Sequence, residues 1–276
     1  MYSGKIIDFH IHIGRKEDWL PWVNEYFKEI NPYLFQNFNK IMTPEGIEKY
    51  IIDQGVTYAI ILAEYSPNVT GVVTNEYVYD FCKGKKQFIP FASVNPNSTK
   101  QPEKILEKCV QDMGFKGLKL YPPYQHFFPN KKELYPLYEK LIELDIPVMF
   151  HTGSSIYKNS KMKYGDPLIL DEVAADFPDL KIIMAHSGRG FWYEQAFFLS
   201  RLHKNMYMEI SGLPPQNLLK YFPDFEKNAD KIIFGSDWPG IKSIKTNIET
   251  ICNLPLKEKN LEKILYQNAK KILKIL

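Results

Sequence analysis

Cysteine is scarce in this 276-residue chain, limited to Cys82, Cys109 and Cys252. They lie far apart with no CxxC spacing, which excludes a disulfide framework and reads as reduced thiols in a reducing compartment. A strong charge of either sign is also missing, since 35 Lys and Arg stand against 32 Asp and Glu, a net of +3. With lysines interleaved among glutamates, that balance argues against nucleic acid or an anionic membrane as partner. No apolar run reaches the ~18 residues a membrane span requires. The first strand pattern begins so near the amino terminus that no signal peptide is expected, and a cytoplasmic location follows as the default. The glycine-rich turn of a dinucleotide fold is absent after that strand, where Gly14-Arg15-Lys16-Glu17 stands instead. Internal repeats, low-complexity segments and interdomain linkers are lacking too, so one domain over 1–276 is expected.

What is present is a rhythm. Short β-rich runs at 5–13, 58–63, 88–94, 117–121, 147–151, 181–186, 206–211 and 231–236 alternate with stretches of helical apolar spacing, among them 47–52, 102–113, 134–144, 168–177, 194–203 and 218–225. Thr43-Pro44-Glu45 and Asp166-Pro167 supply helix starts, a capping residue followed by proline at the first helical position. Strands alternating with single helices imply parallel pairing and right-handed crossovers. Eight such units at this length predict an α/β fold, a closed (β/α)8 TIM barrel. One connection breaks the pattern, for residues 14–42 far exceed the usual two to six of a βα loop. They carry Trp19, Trp22, Tyr26, Phe27, Tyr33, Phe35 and Phe38. This aromatic-rich insertion after strand 1 must emerge at the barrel's C-terminal face, as a lid or substrate wall, or as a surface packed on the barrel or on a second subunit of a homodimer.

The histidines carry the chemistry. Asp8-Phe9-His10-Ile11-His12-Ile13 places Asp8, His10 and His12 on one face of an ideal strand, with Ile7, Phe9, Ile11 and Ile13 on the other. Two buried imidazoles and a carboxylate are costly side by side unless something pairs with them, and a divalent cation is the simplest partner. His151 closes the fifth strand, His186 the sixth, and Asp237 ends the eighth. In a parallel barrel these ends meet at one mouth. Neutral imidazoles with a carboxylate suit one divalent metal, Zn2+ first, with Mn2+, Fe2+ or Co2+ also compatible. His126 and His203, in a loop and late in a helix, read as structural or surface residues.

These segments resemble the amidohydrolase superfamily, in the branch that also contains aminocarboxymuconate semialdehyde decarboxylase and the dihydroxybenzoate decarboxylases. The matching segments are DFHIH (8–12), GFKGLKLYP (114–122), FHTG (150–153), AHSG (185–188), GSDWP (235–239) and YQNAKKIL (266–273), from the first strand to the last helix. The resemblance implies metal ligands at His10, His12, His151 and Asp237. It implies His186 as an acid/base facing the substrate, or as a ligand to a second ion bridged by a carboxylated Lys119 in two-metal members. Lys119 could instead hold a substrate carboxylate. Asp8 would support the ligands, and Arg189 would clamp an anionic small-molecule substrate through its two-pronged guanidinium. Trp238, Phe191 and Tyr121 are expected around the pocket, with Asn95, Glu64 and Ser211 also at strand ends. Two reactions fit the motifs. The first is hydrolysis of a carboxylate-bearing amide, lactone or ester, in which Asp237 takes a proton from activated water. The second is non-oxidative decarboxylation of an aromatic or muconate-type acid. The chain's shortness and its His186-Ser187-Gly188-Arg189 run, in place of a glycine-rich one, favour hydrolysis as the expectation.

Overall fold

In a computed structural model describing residues 2–275, eight strands pair side by side in chain order, all parallel. They are β1 (Ile7–His12), β2 (Tyr58–Leu62), β3 (Phe88–Ser93), β4 (Leu118–Leu120), β5 (Val148–Gly153), β6 (Ile182–Arg189), β7 (Met206–Glu209) and β8 (Ile232–Ile233). β1 closes the ring against β8 and the residues after it. Phe9 N–H donates to Phe234 O at 3.0 Å, Asp237 N–H to His10 O at 3.0 Å, and His12 N–H to Trp238 O at 2.8 Å. The expected (β/α)8 barrel is therefore the observed fold.

Alternation along the strands builds two apolar layers. Val148 and Phe150 of β5 point out into the strand–helix layer, and Phe150 meets Tyr138 of the helix Tyr135–Glu143 edge to face. Met149 points in with Ile60, Phe91, Ile183 and Ile233, and the last helix, Asn268–Leu273, closes the barrel floor with Ala269 and Ile272. The helix after Thr43 starts at Pro44 as the sequence predicts, whereas the one expected from Asp166-Pro167 begins later, at Ile169, and other caps are revealed only by the structure. Thr43 accepts from Gly46 N–H, Thr74 from Tyr77 N–H and Ser243 from Thr246 N–H, each at 3.1 Å.

The strict alternation read for β1 fails at one point. Pairing with β2 slips between Asp8 and Ile11, so β1 carries one residue more than its partner there. Ile7 and Phe9 consequently belong to the barrel interior, whereas Ile11 and Ile13 belong to the outer layer. His10 and His12 face the mouth, but Asp8 does not share their face. Its Oδ1 instead accepts the backbone N–H of His10 at 3.1 Å and of Ser236 at 2.8 Å, tying the bulge to the end of β8.

The insertion folds into a single turn and three short helices, α1 (Pro21–Ile30), α2 (Pro32–Gln36) and α3 (Phe38–Ile41). Trp19, Phe27, Leu34 and Phe38 are buried, and Trp19 packs edge to face with Phe27 and Phe38. A small antiparallel hairpin, Glu64–Ser66 with Gly71–Val73, follows β2 and was not anticipated from the sequence. The insertion seats on it, with Leu20 N–H donating to Thr70 O at 2.9 Å and Trp22 Nε1 to Val69 O at 2.8 Å. Among the described residues, no helix is long and apolar enough to cross a membrane.

Candidate metal centre and active-site cavity

Four strand ends converge on one cluster. His10 Nε2 and His12 Nε2 lie 3.2 Å apart, and Asp237 Oδ1 is 3.4 Å from each. Two imidazole nitrogens at this distance hold at most one hydrogen bond between them. Donor atoms ~2.1 Å from one ion at tetrahedral angles stand ~3.4 Å apart, which is the triangle observed. His186 joins from β6, since His10, His186 and Asp237 offer ligand atoms within 4.8 Å of one another. His151 lies against His186, ring centroids 4.5 Å apart, and its buried Nε2 has no hydrogen-bond partner. An orphaned imidazole nitrogen beside this triangle fits the residues to a divalent cation. Burial drives the pKa values of His10, His151 and His186 well below the ordinary histidine value, so these rings are neutral and have lone pairs to give. Burial alone would raise the Asp237 carboxyl, but His10, His12 and Arg189 hold it down at about 2.

The histidines are aimed by residues behind them. Ser211 Oγ lies 3.0 Å from His10 Nδ1 and Glu209 Oε2 3.3 Å from it, which leaves Nε2 turned to the cluster. Ser211 Oγ also donates to Glu209 Oε2 at 2.7 Å. Glu64 of the hairpin, hydrogen-bonded by Thr70, brings Oε2 within 3.7 Å of His12 Nδ1. Glu209 escaped the sequence reading. Its signal was a lone carboxylate at the end of Met206-Tyr207-Met208-Glu209, on the inward parity of an apolar strand. It also accounts for the glycine of the GSDWP segment, because a Cβ on Gly235 would overlap the Glu209 carboxylate.

Backbone geometry at the site is unusual. His186, Ser187 and Asp237 adopt φ of 63°, 46° and 69°, in the left-handed region non-glycine residues seldom occupy. At His186 this lets two successive residues, Ala185 and His186, serve the interior. Such conformations cost on the order of 1–3 kcal/mol each and persist where the surroundings over-determine them. Here Ser187 Oγ donates to Glu209 O at 2.9 Å, and Gly188 N–H to Thr152 Oγ1 at 3.0 Å. Gly212, at φ 63°, passes so close that a Cβ would lie 2.6 Å from Arg189 Nη1 and 2.8 Å from Asp237 Oδ2.

Above the cluster opens a cavity of about 290 Å³. Its floor is His12, His151, His186 and Asp237, and its walls include Tyr121, Tyr124 and Tyr157 with Trp19, Tyr26 and Phe27 from the insertion. Arg189 stands at one side. Its Nε and Nη2 donate to Ser154 O at 3.3 and 3.0 Å, and Nη1 lies 3.7 Å from Asp237 Oδ2. Tyr121 lines the wall with its hydroxyl donated to Ala63 O at 2.9 Å. Three expected pocket residues lie elsewhere. Trp238 is 1% exposed and packs behind the site against Tyr50, because the Asp237–Gly240 turn swings its ring into the outer layer. Phe191 projects from the surface at 68% exposure. Lys119 is wholly buried below the cavity floor, its Nζ 3.6 Å from Met149 Sδ and over the Tyr121 ring, so the β4 alternation that points it inward also puts it out of a substrate's reach. Burial pulls its ammonium below the ordinary lysine value.

The family model described as Amidohydrolase matches residues 7–275, and the chain belongs to that family. A gamma-resorcylate decarboxylase from Polaromonas sp. strain JS666 is 22% identical over 283 residues, covering 86% of each chain. An uncharacterized TIM-barrel protein from Bordetella bronchiseptica superposes with a TM-score of 0.80 at 23% identity over 98% of both chains. A dihydroxybenzoic acid decarboxylase from Polaromonas sp. JS666, solved with manganese and 2-nitroresorcinol, superposes with a TM-score of 0.70 at 18% identity, over 99% of this chain and 97% of that one. At such identities these two superpositions establish the shared fold. The expectation of hydrolysis is overturned, because relatives matching most of both chains are decarboxylases. The 86% mutual coverage also removes chain length as an argument for hydrolysis.

Proposed function

We propose that the protein is a metal-dependent carboxy-lyase that removes carbon dioxide from a small aromatic carboxylic acid without a redox step. The observation that carries this reading is the cavity: an aromatic-walled space of one-ring size, floored by histidines and Asp237, with Arg189 as the one lining arginine or lysine among the described residues. The decarboxylases named above support it. Hydroxybenzoates are the first substrates to try.

His10, His12, His151 and Asp237 would hold a single divalent cation, and Mn2+ and Zn2+ are both compatible with three nitrogens and one oxygen. Bound there, the ion supplies positive charge that anchors the anionic substrate and steadies electron density as the C–C bond lengthens. The chain's own groups do the rest. Arg189, fixed by Ser154 O, turns Nη1 toward the cavity beside Asp237 Oδ2, where it pairs with substrate anion, and the tyrosine walls hold the ring. Asp237 turns Oδ1 to His10 and His12, leaving Oδ2 toward Arg189 Nη1 and His186 Nδ1, at 3.7 and 3.9 Å. Asp237 is a carboxylate at rest, so Oδ2 first takes a proton from the substrate's ring hydroxyl or from water and then passes it to the ring carbon that bears the carboxylate. The C–C electron pair returns to the ring, carbon dioxide leaves, and His186 orients the acid.

The test is a panel of hydroxy- and aminobenzoates, with lactones and amides as controls, given to enzyme reconstituted with Mn2+ or Zn2+. Carbon dioxide release abolished by a chelator is expected. Turnover of the controls with no carbon dioxide from any acid would overturn the proposal.

A further inference from the structure

We infer that the aromatic insertion is a fixed brace for the metal site, and that Asn31 is the positioning residue through which it sets Asp237. The inference rests on the metal-binding reading of the cluster.

Asp237 is the ligand with the most demanding backbone. It sits at φ 69° at the head of a tight turn closed by Gly240 N–H donating to Asp237 O at 2.8 Å. A left-handed aspartate is held only if the turn after it is held. Inside the barrel wall, the bond from Asp237 N–H to His10 O holds one side. On the other side the turn projects from the wall, and there the insertion takes it. The Asn31 side-chain amide donates to Pro239 O at 2.6 Å and Ile241 O at 2.5 Å, clasping the turn across Gly240. Tyr26 OH adds a bond to Gly240 O at 3.1 Å. Three consecutive carbonyls after the ligand thus point at donors from one distant segment, more than 200 residues earlier in the chain.

The brace has an anchored far end. Asn31 occupies the junction of α1 and α2, its backbone N–H bonded to Phe27 O at 2.8 Å. Leu20 and Trp22 dock the start of the insertion on the hairpin that presents Glu64 to His12. The insertion therefore spans the cluster, joining the hairpin behind His12 to the turn behind Asp237. A segment bonded at both ends and packed through Trp19 and Phe27 is a wall whose position the ligands depend on, rather than a lid that swings clear.

The discriminating experiment compares Asn31→Asp with Asn37→Ala. Asn31→Asp keeps the side-chain shape and replaces the donor by an acceptor facing two carbonyls. Asn37 lies in the same insertion, but its amide bonds Tyr33 O within it, at 3.0 Å. Mn2+ affinity is read by titration of the metal-free protein, and ligand geometry by the visible absorption of the Co2+-substituted form. Asn31→Asp is expected to weaken Mn2+ by about tenfold to a hundredfold, as loss of groups that orient ligands does, and to change the Co2+ spectrum. Asn37→Ala should leave both unchanged, even if its melting temperature falls. If Asn31→Asp does not fold, Tyr26→Phe, which removes one hydroxyl from the same turn, should show a smaller loss in the same direction. Wild-type Mn2+ affinity and Co2+ spectrum in a folded Asn31→Asp, or equal effects from Asn37→Ala, would overturn the brace and leave the proposed reaction untouched. Failure of the wild type to bind any divalent ion would overturn the metal reading on which both stand.

Discussion

His12 and His186 lie within one cluster yet differ in what stands behind them, and their substitutions should part accordingly. His12 faces Asp237 Oδ1 through Nε2 while Glu64 backs its Nδ1, a ligand arrangement. His12→Ala is expected to lose both the ion and activity, checked by elemental analysis beside the decarboxylation assay. Full metal content would remove His12 from the ligand set. His186 has Nδ1 engaged by Ser211, 3.0 Å from both its O and its Oγ, and borders the cavity. His186→Asn should retain one metal equivalent while turnover falls at least ~100-fold, because the Asp237 carboxyl that transfers the proton loses the ring that orients it. Strand-end histidines could be picked out from the sequence because rare residues at regular strand termini are a strong pattern. Glu209 could not, since a single glutamate in a strand has the same spelling whether it supports a histidine or faces water. Trp238 shows the opposite error. Adjacency to Asp237 made it look like a wall, and one turn of backbone sent it into the core.

Elements placed these residues where alternation alone would not. A bulge in β1 lets Phe9 and His10 both serve the interior, and Asp8 stitches that bulge by accepting two buried backbone N–H groups. Asp8→Ala leaves both donors unmet, and each unmet donor costs about 1–3 kcal/mol, so a loss of about 2–6 kcal/mol is expected in urea unfolding. Asp8→Asn, which keeps an acceptor, should recover most of it. A change below ~0.5 kcal/mol in Asp8→Ala would mean the bulge is held by the ladder alone. Bulges and left-handed residues are invisible to a period-two reading because they are set by cross-strand partners distant in sequence. The same holds for the hairpin after β2, whose Glu64 backs His12. The barrel itself was legible, since eight apolar runs separated by helical spacing leave few topologies open.

Over the whole molecule, the proposed ion and the fold would be coupled, because a site drawn from both ends of the chain exists only when the barrel is closed. Metal at a hundredfold excess over its dissociation constant adds about 2.7 kcal/mol, or roughly 5–10 °C in melting temperature for a chain of this size. Chelation should remove that increment in a thermal melt, and an unchanged melt would argue that the cluster holds no ion. The reaction is the less legible half, because the ligand set is common to hydrolysis and decarboxylation and only the walls and relatives separate them. Turnover of carboxyl-labelled hydroxybenzoates by the Mn2+-reconstituted enzyme in deuterium oxide, followed by mass spectrometry, tests that most directly. The account predicts one labelled carbon dioxide for each arene formed, with one deuterium on the carbon that lost its carboxylate. Intact acids throughout the panel, with water added across an ester, lactone or amide instead, would contradict it.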